Sequence, residues 1–177
     1  TVTSFSLVLD QSNTANAFGT AETVTLGQSF TAGLSGRLAQ FDFQFYNAGA
    51  YNYKCELKIY SGTGITGTLL KTQPFIIGQN VGTGAFPITI IDGPTVVVGE
   101  IYSAVITVVN GGTTGGKIRY AYSTNYPNQN DGTSTDSYPY GERLFSTGTY
   151  SEELFFKTYV SEVPATHLNF DGTNDYI

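Results

Sequence analysis

Apolar and polar residues alternate with a period of two through most of this chain, and that alternation decides what it can fold into. In LAQFDFQFYNAG, Phe41, Phe43 and Phe45 fall on one side, and Gln40, Asp42 and Gln44 on the other. This is the pattern of an antiparallel strand with one buried and one wet face. In YKCELKIYSGTGITGTLLKTQPF, residues 53–75, Cys55, Leu57 and Ile59 alternate with Glu56, Lys58 and Tyr60, and a Gly/Thr connection leads into a second run. That stretch reads as a hairpin relative to which the other strands can be placed. SFSLVLD sets Phe5, Leu7 and Leu9 on one face, and the strand is expected to end near Asp10, where a polar loop begins. VTLGQSFTAG aligns Leu26, Gln28 and Phe30, while FPITIID and TVVVGEIYSAVITVVNGG supply further strands broken at Gly93-Pro94 and Gly111-Gly112. KIRYAYST forms a short strand, YPYGERLF can form another, and LFFKTYV, apolar on both faces, predicts a central place in its sheet. No segment shows a 3.6-residue period. The expected fold class is all-β, an antiparallel β-sandwich of jelly-roll type over residues 1–161.

At 177 residues the chain is long enough for one full hydrophobic core. The lone cysteine, Cys55, sits on the apolar face of its strand, which suits a small buried hydrophobe better than a reactive thiol. With one cysteine there is no disulfide pattern to argue for export. A net charge of −6 with only 8 Lys and Arg excludes a basic stripe for nucleic acid. No apolar run approaches the roughly 18–20 residues a membrane-inserted helix needs. The opening TVTSFSLVLD lacks a basic-then-apolar leader pattern, so an exported chain is expected to have lost its leader.

No catalytic constellation is visible. His167 has no nucleophile organised beside it. Glu142, Glu152 and Glu153 offer carboxylates for a glycosidase pair, but acids flanking strands are more simply solvated edge charges. The chain is therefore not expected to be an enzyme. SGTGITG and NGGTTGG open no apolar helix and read as turns, not phosphate loops. Calcium accepts loop oxygens without fixed geometry. If the first and last strands are neighbours, Asp10, with Gln11 and Asn13, converges with Glu152 and Glu153, and one structural Ca2+ is expected on Asp10 and Glu153.

The most polar stretch, NYPNQNDGTSTDSYPYGERLF, has a length that is uncommon within a compact domain unless the loop is functional or disordered. It mixes planar faces with hydrogen-bonding groups: Tyr126, Tyr138 and Tyr140 beside Asn128, Asp131 and Arg143. A pyranose ring offers a C–H face for aromatic packing and hydroxyls for amides, carboxylates and guanidinium, so these residues are the expected carbohydrate ligands. The alternative is that Tyr120 and Tyr122 fill the core and the others decorate a solvated loop. With few cations, the expected partner is a neutral polysaccharide or cell-surface glycan.

Residues 162–167, EVPATH, read as a linker, and LNFDGTNDYI, residues 168–177, resembles the opening of laminin-G-like, concanavalin-type sandwich domains of large secreted bacterial proteins. The body, through LGQSFTAGLSGRLAQFDF, LKIYSGTGITGTLLKTQ, VVVGEIYSAVI and LFFKTYV, resembles carbohydrate-binding-module-like jelly-roll domains of multimodular exported Bacteroidetes proteins. The resemblance implies a secreted or cell-surface setting, neighbouring domains in the same parent chain, and either non-catalytic polysaccharide binding or a structural, adhesive spacer role. The chain departs from many sugar-binding modules of this shape in having no tryptophan, leaving only tyrosine to stack on sugars.

Overall fold

The structure is a computed structural model that describes residues 6–14, 19–23, 25–45, 52–78, 84–111, 118–122, 143–145, 148–150 and 154–161. Among the described residues there is no helix. The strands are β1 (Leu7–Asn13), β2 (Gly19–Thr23), β3 (Thr25–Thr31), β4 (Gly36–Phe45), β5 (Tyr53–Ser61), β6 (Leu69–Ile77), β7 (Gly84–Thr89), β8 (Thr95–Val96), β9 (Ile101–Gly111), β10 (Ile118–Tyr122), β11 (Arg143–Phe145), β12 (Gly148–Tyr150) and β13 (Phe156–Ser161).

They form two antiparallel sheets. One runs β1-β13-β4-β10-β2, with β7 and β8 also pairing β4; the other runs β12-β11-β3-β9-β5-β6. Taking β1, β3, β4, β5, β6, β7, β9 and β13 as principal strands one to eight, the first sheet is ordered one–eight–three–six and the second two–seven–four–five. This is the double Greek-key wrapping of a jelly roll. The last strand, expected to be central, lies between β1 and β4.

The alternation of the sequence becomes the core between the sheets. Phe41, Phe43, Phe45 and Phe156 of the first sheet face Leu26, Phe30, Leu57, Ile59 and Ile106 of the second, all buried. Phe41 joins the layers: its ring lies 4.4 Å from Phe43, 5.8 Å from Phe156 and 6.1 Å from Phe30 across the sandwich. Cys55 is buried beside Leu57, as its strand position requires. On the outer face of the second sheet, Gly27 lies between Val105 and Leu144, and a Cβ there would come within 2.9 Å of Val105 Cγ2 and 3.2 Å of Leu144 Cβ. Glycine lets those two side chains close over the strand. Pro74 sits on β6, the sheet's edge, where a missing N–H breaks no ladder.

Two sequence expectations change here. β1 does not stop at Asp10; it continues to Asn13 through a register shift between Leu9 and Gln11. Leu7 and Leu9 consequently lie on the outer face, 51% and 48% exposed, and Val8 packs against the core. The polar run continues the strand because its groups find partners inside: the Asn13 side-chain amide, 3% exposed, donates to the Leu154 carbonyl at 3.0 Å. The Leu154 N–H in turn donates to Gln28 Oε1 at 3.0 Å. A polar link thus crosses from one sheet to the other, with its buried groups satisfied as burial demands.

Candidate functional site

The outer face of the first sheet carries the most organised polar surface among the described residues. Because strand side chains alternate, the phenylalanines pointing inward on β4 force Gln40, Asp42 and Gln44 outward. The antiparallel registers then assemble two rows from strands far apart in the chain. One row is Leu9, Tyr159, Gln40 and Thr89; the next is Ser12, Lys157, Asp42 and Pro87. At ~4.8 Å between strands, each row spans roughly 14 Å.

Asp42 is the unexpected member, since an outward carboxylate on a half-wet strand should be solvated, yet only 6% of it is exposed. The reason is local. Gln40 Nε2 donates to Asp42 Oδ1 at 2.8 Å, and the Tyr159 phenol lies near the same carboxylate. Burial pushes the Tyr159 phenol above its ordinary value, and the nearby negative charge and hydrogen bond of Asp42 push it the same way. Tyr159 stands opposite Gln40, hence diagonal to Asp42, with Leu9 opposite it on the other side. It is half-buried. Lys157 stands directly opposite Asp42, so the patch has no large field of one sign.

The residues expected to bind ligand fall differently. Tyr126, Tyr138, Tyr140, Asn128 and Asp131 lie outside the described residues, as does Glu153. Arg143 opens β11 opposite Gln28, on the inward side of the second sheet, and is 5% exposed. The sequence leaves YPYGERLF free to form a short strand, and Arg143 lies in one. The strand pairing brings Arg143 into the layer between the sheets, because Gln28 shares its face with Leu26 and Phe30.

The neighbouring of β1 and β13, on which the calcium expectation depended, is present. Asp10, however, holds the chain together. Its Oδ1 accepts the main-chain N–H groups of Gly33 at 2.8 Å and Leu34 at 2.7 Å. Its Oδ2 accepts the Thr158 hydroxyl at 3.2 Å, and Thr158 Oγ1 accepts the Gln11 N–H at 3.0 Å. Two main-chain donors thus engage Oδ1 and anchor the turn, while Glu153, the other expected ligand, lies outside the described residues. Among the described residues no three His, Cys, Asp or Glu side chains come together as a metal site.

The end of the sandwich next to Asp10 is apolar at its rim. The Ala32 N–H donates to the Glu100 carbonyl, the Gly99 N–H to the Ala32 carbonyl and the Gly62 N–H to the Ile101 carbonyl, tying three connections together. They leave Leu34, Ile65, Val97, Val98 and Ile101 exposed.

Fold and surface together define a jelly-roll β-sandwich with an open polar-aromatic sheet face. No protein-family model matches the chain, and no curated protein matches it. Among solved structures it is similar to the clostridial cysteine protease Cwp84 after propeptide cleavage, with a TM-score of 0.55 and 11% identity over 88% of this chain and 40% of that one. It is also similar to the structure of the cysteine protease and lectin-like domains of Cwp84, a surface layer associated protein of Clostridium difficile, with a TM-score of 0.53 and 13% identity over 88% of this chain and 36% of that one. At such identities the likeness is one of fold. The chain spans well under half the length of either.

Proposed function

We propose that this chain is a non-catalytic carbohydrate-binding domain of a secreted or cell-surface protein. The observation that carries the reading is the shared fold: an all-β sandwich superposes on a protein whose two named parts are a cysteine protease and lectin-like domains, and we take the lectin-like part as the counterpart. Surface-layer association of that protein supports the same setting for this one. No catalytic group is called on. The polar stretch with Tyr126, Tyr138, Tyr140, Asn128, Asp131 and Arg143 supplies the contact residues of the proposal, because it joins stacking faces to directional hydrogen-bonding groups. Neutral polysaccharide is the expected ligand, since 8 cations against a net charge of −6 give a polyanion little to hold.

The test is retention in native gels cast with neutral polysaccharides such as xylan, galactomannan and mixed-linkage glucan, run beside gels with an anionic polymer such as alginate. Retardation by a neutral polymer that survives added salt supports the reading. No retardation in any gel, together with no signal on a broad glycan array, overturns it. The spacer reading has one observation in its favour, the exposed aliphatic rim of Leu34, Val97, Val98 and Ile101, which suits contact with an adjoining domain of the same parent chain. β13 ends at Ser161, paired with Arg37 at the start of β4, at this same end of the sandwich.

A further inference from the structure

We infer that Lys71, Gln73 and Pro74 on β6, with Pro87 on β7, close one side of the sandwich to strand addition, and that without this block β6 pairs with the β6 strand of a second copy of this chain. The block does not depend on what the domain binds.

The second sheet ends in an edge that invites pairing. β6 is its last strand and runs for nine residues, LLKTQPFII, with Lys71 the only charge. Leu69, Leu70 and Ile76 are all exposed. A long, apolar, nearly uncharged edge is a template for another strand. Paired antiparallel about Gln73, β6 of a second copy would set Leu70 against the partner's Ile76 twice over, both on the outer face, so a second copy is the occupant this edge fits. β7 is the matching edge of the first sheet: it pairs β4 on one side and, among the described residues, nothing on the other. The two edges lie on the same side of the sandwich, since the rings of Phe75 on β6 and Phe86 on β7 are 6.1 Å apart.

Each edge carries a proline inside its strand, Pro74 opposite Glu56 and Pro87 opposite Asp42. In an antiparallel strand a residue's N and carbonyl point to the same side, and proline fits where that side is the free one. Pro74 therefore removes a donor from the middle of the edge. Its carbonyl, the acceptor left there, is taken by Gln73 Nε2 at 3.1 Å. Gln73 Oε1 in turn accepts the Ile91 N–H at 3.0 Å, two positions beyond the end of β7. One side chain thus occupies an acceptor on one edge and a donor just past the other, and bridges the two sheets. Lys71 adds a charge. It stands opposite Ile59, which is fully buried, so it belongs to the inward face of the edge strand and is itself half-buried. A strand added beside it would take water from that ammonium.

The experiment uses the 177-residue chain as wild type, as Gln73→Leu, as the double variant Gln73→Leu/Pro74→Thr, and as a triple variant that adds Thr72→Pro to the double. Thr72 lies two positions from Pro74, so its N–H also points to the free side, and a proline there closes the edge again without breaking the ladder to β5. Each protein is first checked for an unchanged far-UV circular dichroism spectrum and a cooperative melt. Association is then read by size-exclusion chromatography with light scattering over a concentration series, and its location by amide hydrogen exchange. Wild type should stay at its monomer mass of 19.0 kDa. The double variant should move to twice that mass or more as concentration rises, with exchange at Ile76 slowed by about tenfold. Adding Thr72→Pro should return it to the monomer. Gln73→Leu alone frees only the Pro74 carbonyl and the Ile91 N–H and should associate more weakly, so the inference stays testable if the double variant fails to fold. If no folded variant associates at any concentration, or if association persists with Thr72→Pro in place, the block is refuted. A wild type already paired through β6, with its Thr72 and Ile76 amides protected, refutes it as well.

Discussion

Asp10 offers the sharpest test of how the sandwich is closed. It lies at the irregularity in the first strand, yet its carboxylate reaches the β3–β4 turn at Gly33 and Leu34 and the last strand at Thr158. Asp10→Ala removes all three bonds. Hydrogen bonds to a charged acceptor contribute about 1.5–3 kcal/mol each where water is excluded, but both turn N–H groups are exposed and can turn to solvent, so the sum should be near the cost of one such bond, about 2 kcal/mol. For a domain of this size that is a fall in Tm of about 4–8 °C. Asp10→Asn keeps an oxygen for both N–H groups and removes a charge that burial disfavours, so it should lie within about 0.5 kcal/mol of wild type. Burial raises the Asp10 carboxyl above its ordinary value of 3.8, outweighing the lowering by the bonds from Leu34, Gly33 and Thr158. The folded state therefore takes up this proton more readily than the unfolded state. Its contribution is fully present below the unfolded pKa and is lost as pH rises through the folded one. Thermal melts of wild type and Asp10→Asn at stepped pH from about 3 to 7 should show wild type losing ground to the Asn variant as pH rises. A wild-type advantage that grows with pH would refute the raised carboxyl, and an Asp10→Ala variant that melts with wild type would refute the clamp.

Phe41→Ala removes the ring that joins the two layers and should destabilise by about 4–5 kcal/mol in urea titrations, whereas Gln44→Ala should cost less than about 0.5 kcal/mol; comparable effects would mean the wrong face of β4 points inward. Cys55 is buried, which pushes its thiol up to about 12, so iodoacetamide at pH 8 should leave the native protein unlabelled and react promptly in denaturant; rapid labelling of the folded chain would contradict that burial. Chelator should leave Tm unchanged, because Asp10 is engaged by N–H and O–H donors; a clear drop, with calcium found by elemental analysis, would return the ion to the β1–β13 edge.

The core was legible because its signal is local. Phe41, Phe43 and Phe45, or Cys55, Leu57 and Ile59, declare their inward face within five residues, and a period of two has no other reading at that length. Tyr102, Ala104, Ile106 and Val108 did the same on β9. The first strand misled because its pattern is correct on only one side of an irregularity. Leu7 and Leu9 look like the buried set, but β1 is an edge strand whose inward residue there is Val8, and the register shift after Leu9 turns polar Gln11 and Asn13 towards the last strand. A shift of one position exchanges the faces, and nothing in LVLDQSN announces where it occurs. The burial of Arg143 was not legible for a related reason: a charged residue at the end of a polar stretch reads as exposed until its pairing with Gln28 is known.

The candidate face was illegible for a reason built into the topology. A jelly roll lays its first, last, third and sixth principal strands side by side, so the row Leu9, Tyr159, Gln40 and Thr89 joins residues up to 150 positions apart. Half of the signal was present in sequence: if Phe41, Phe43 and Phe45 point inward, Gln40, Asp42 and Gln44 must share the outer face. The other half, Tyr159 on the outward side of LFFKTYV, was also visible. What could not be read was that these two strands are neighbours at the offset placing the phenol diagonal to Asp42. That offset sets Tyr159 diagonal to Asp42, an outward acid that is only 6% exposed. A tyrosine-rich stretch is conspicuous because it is contiguous; a face assembled across strands is not, because its members are joined only by the register.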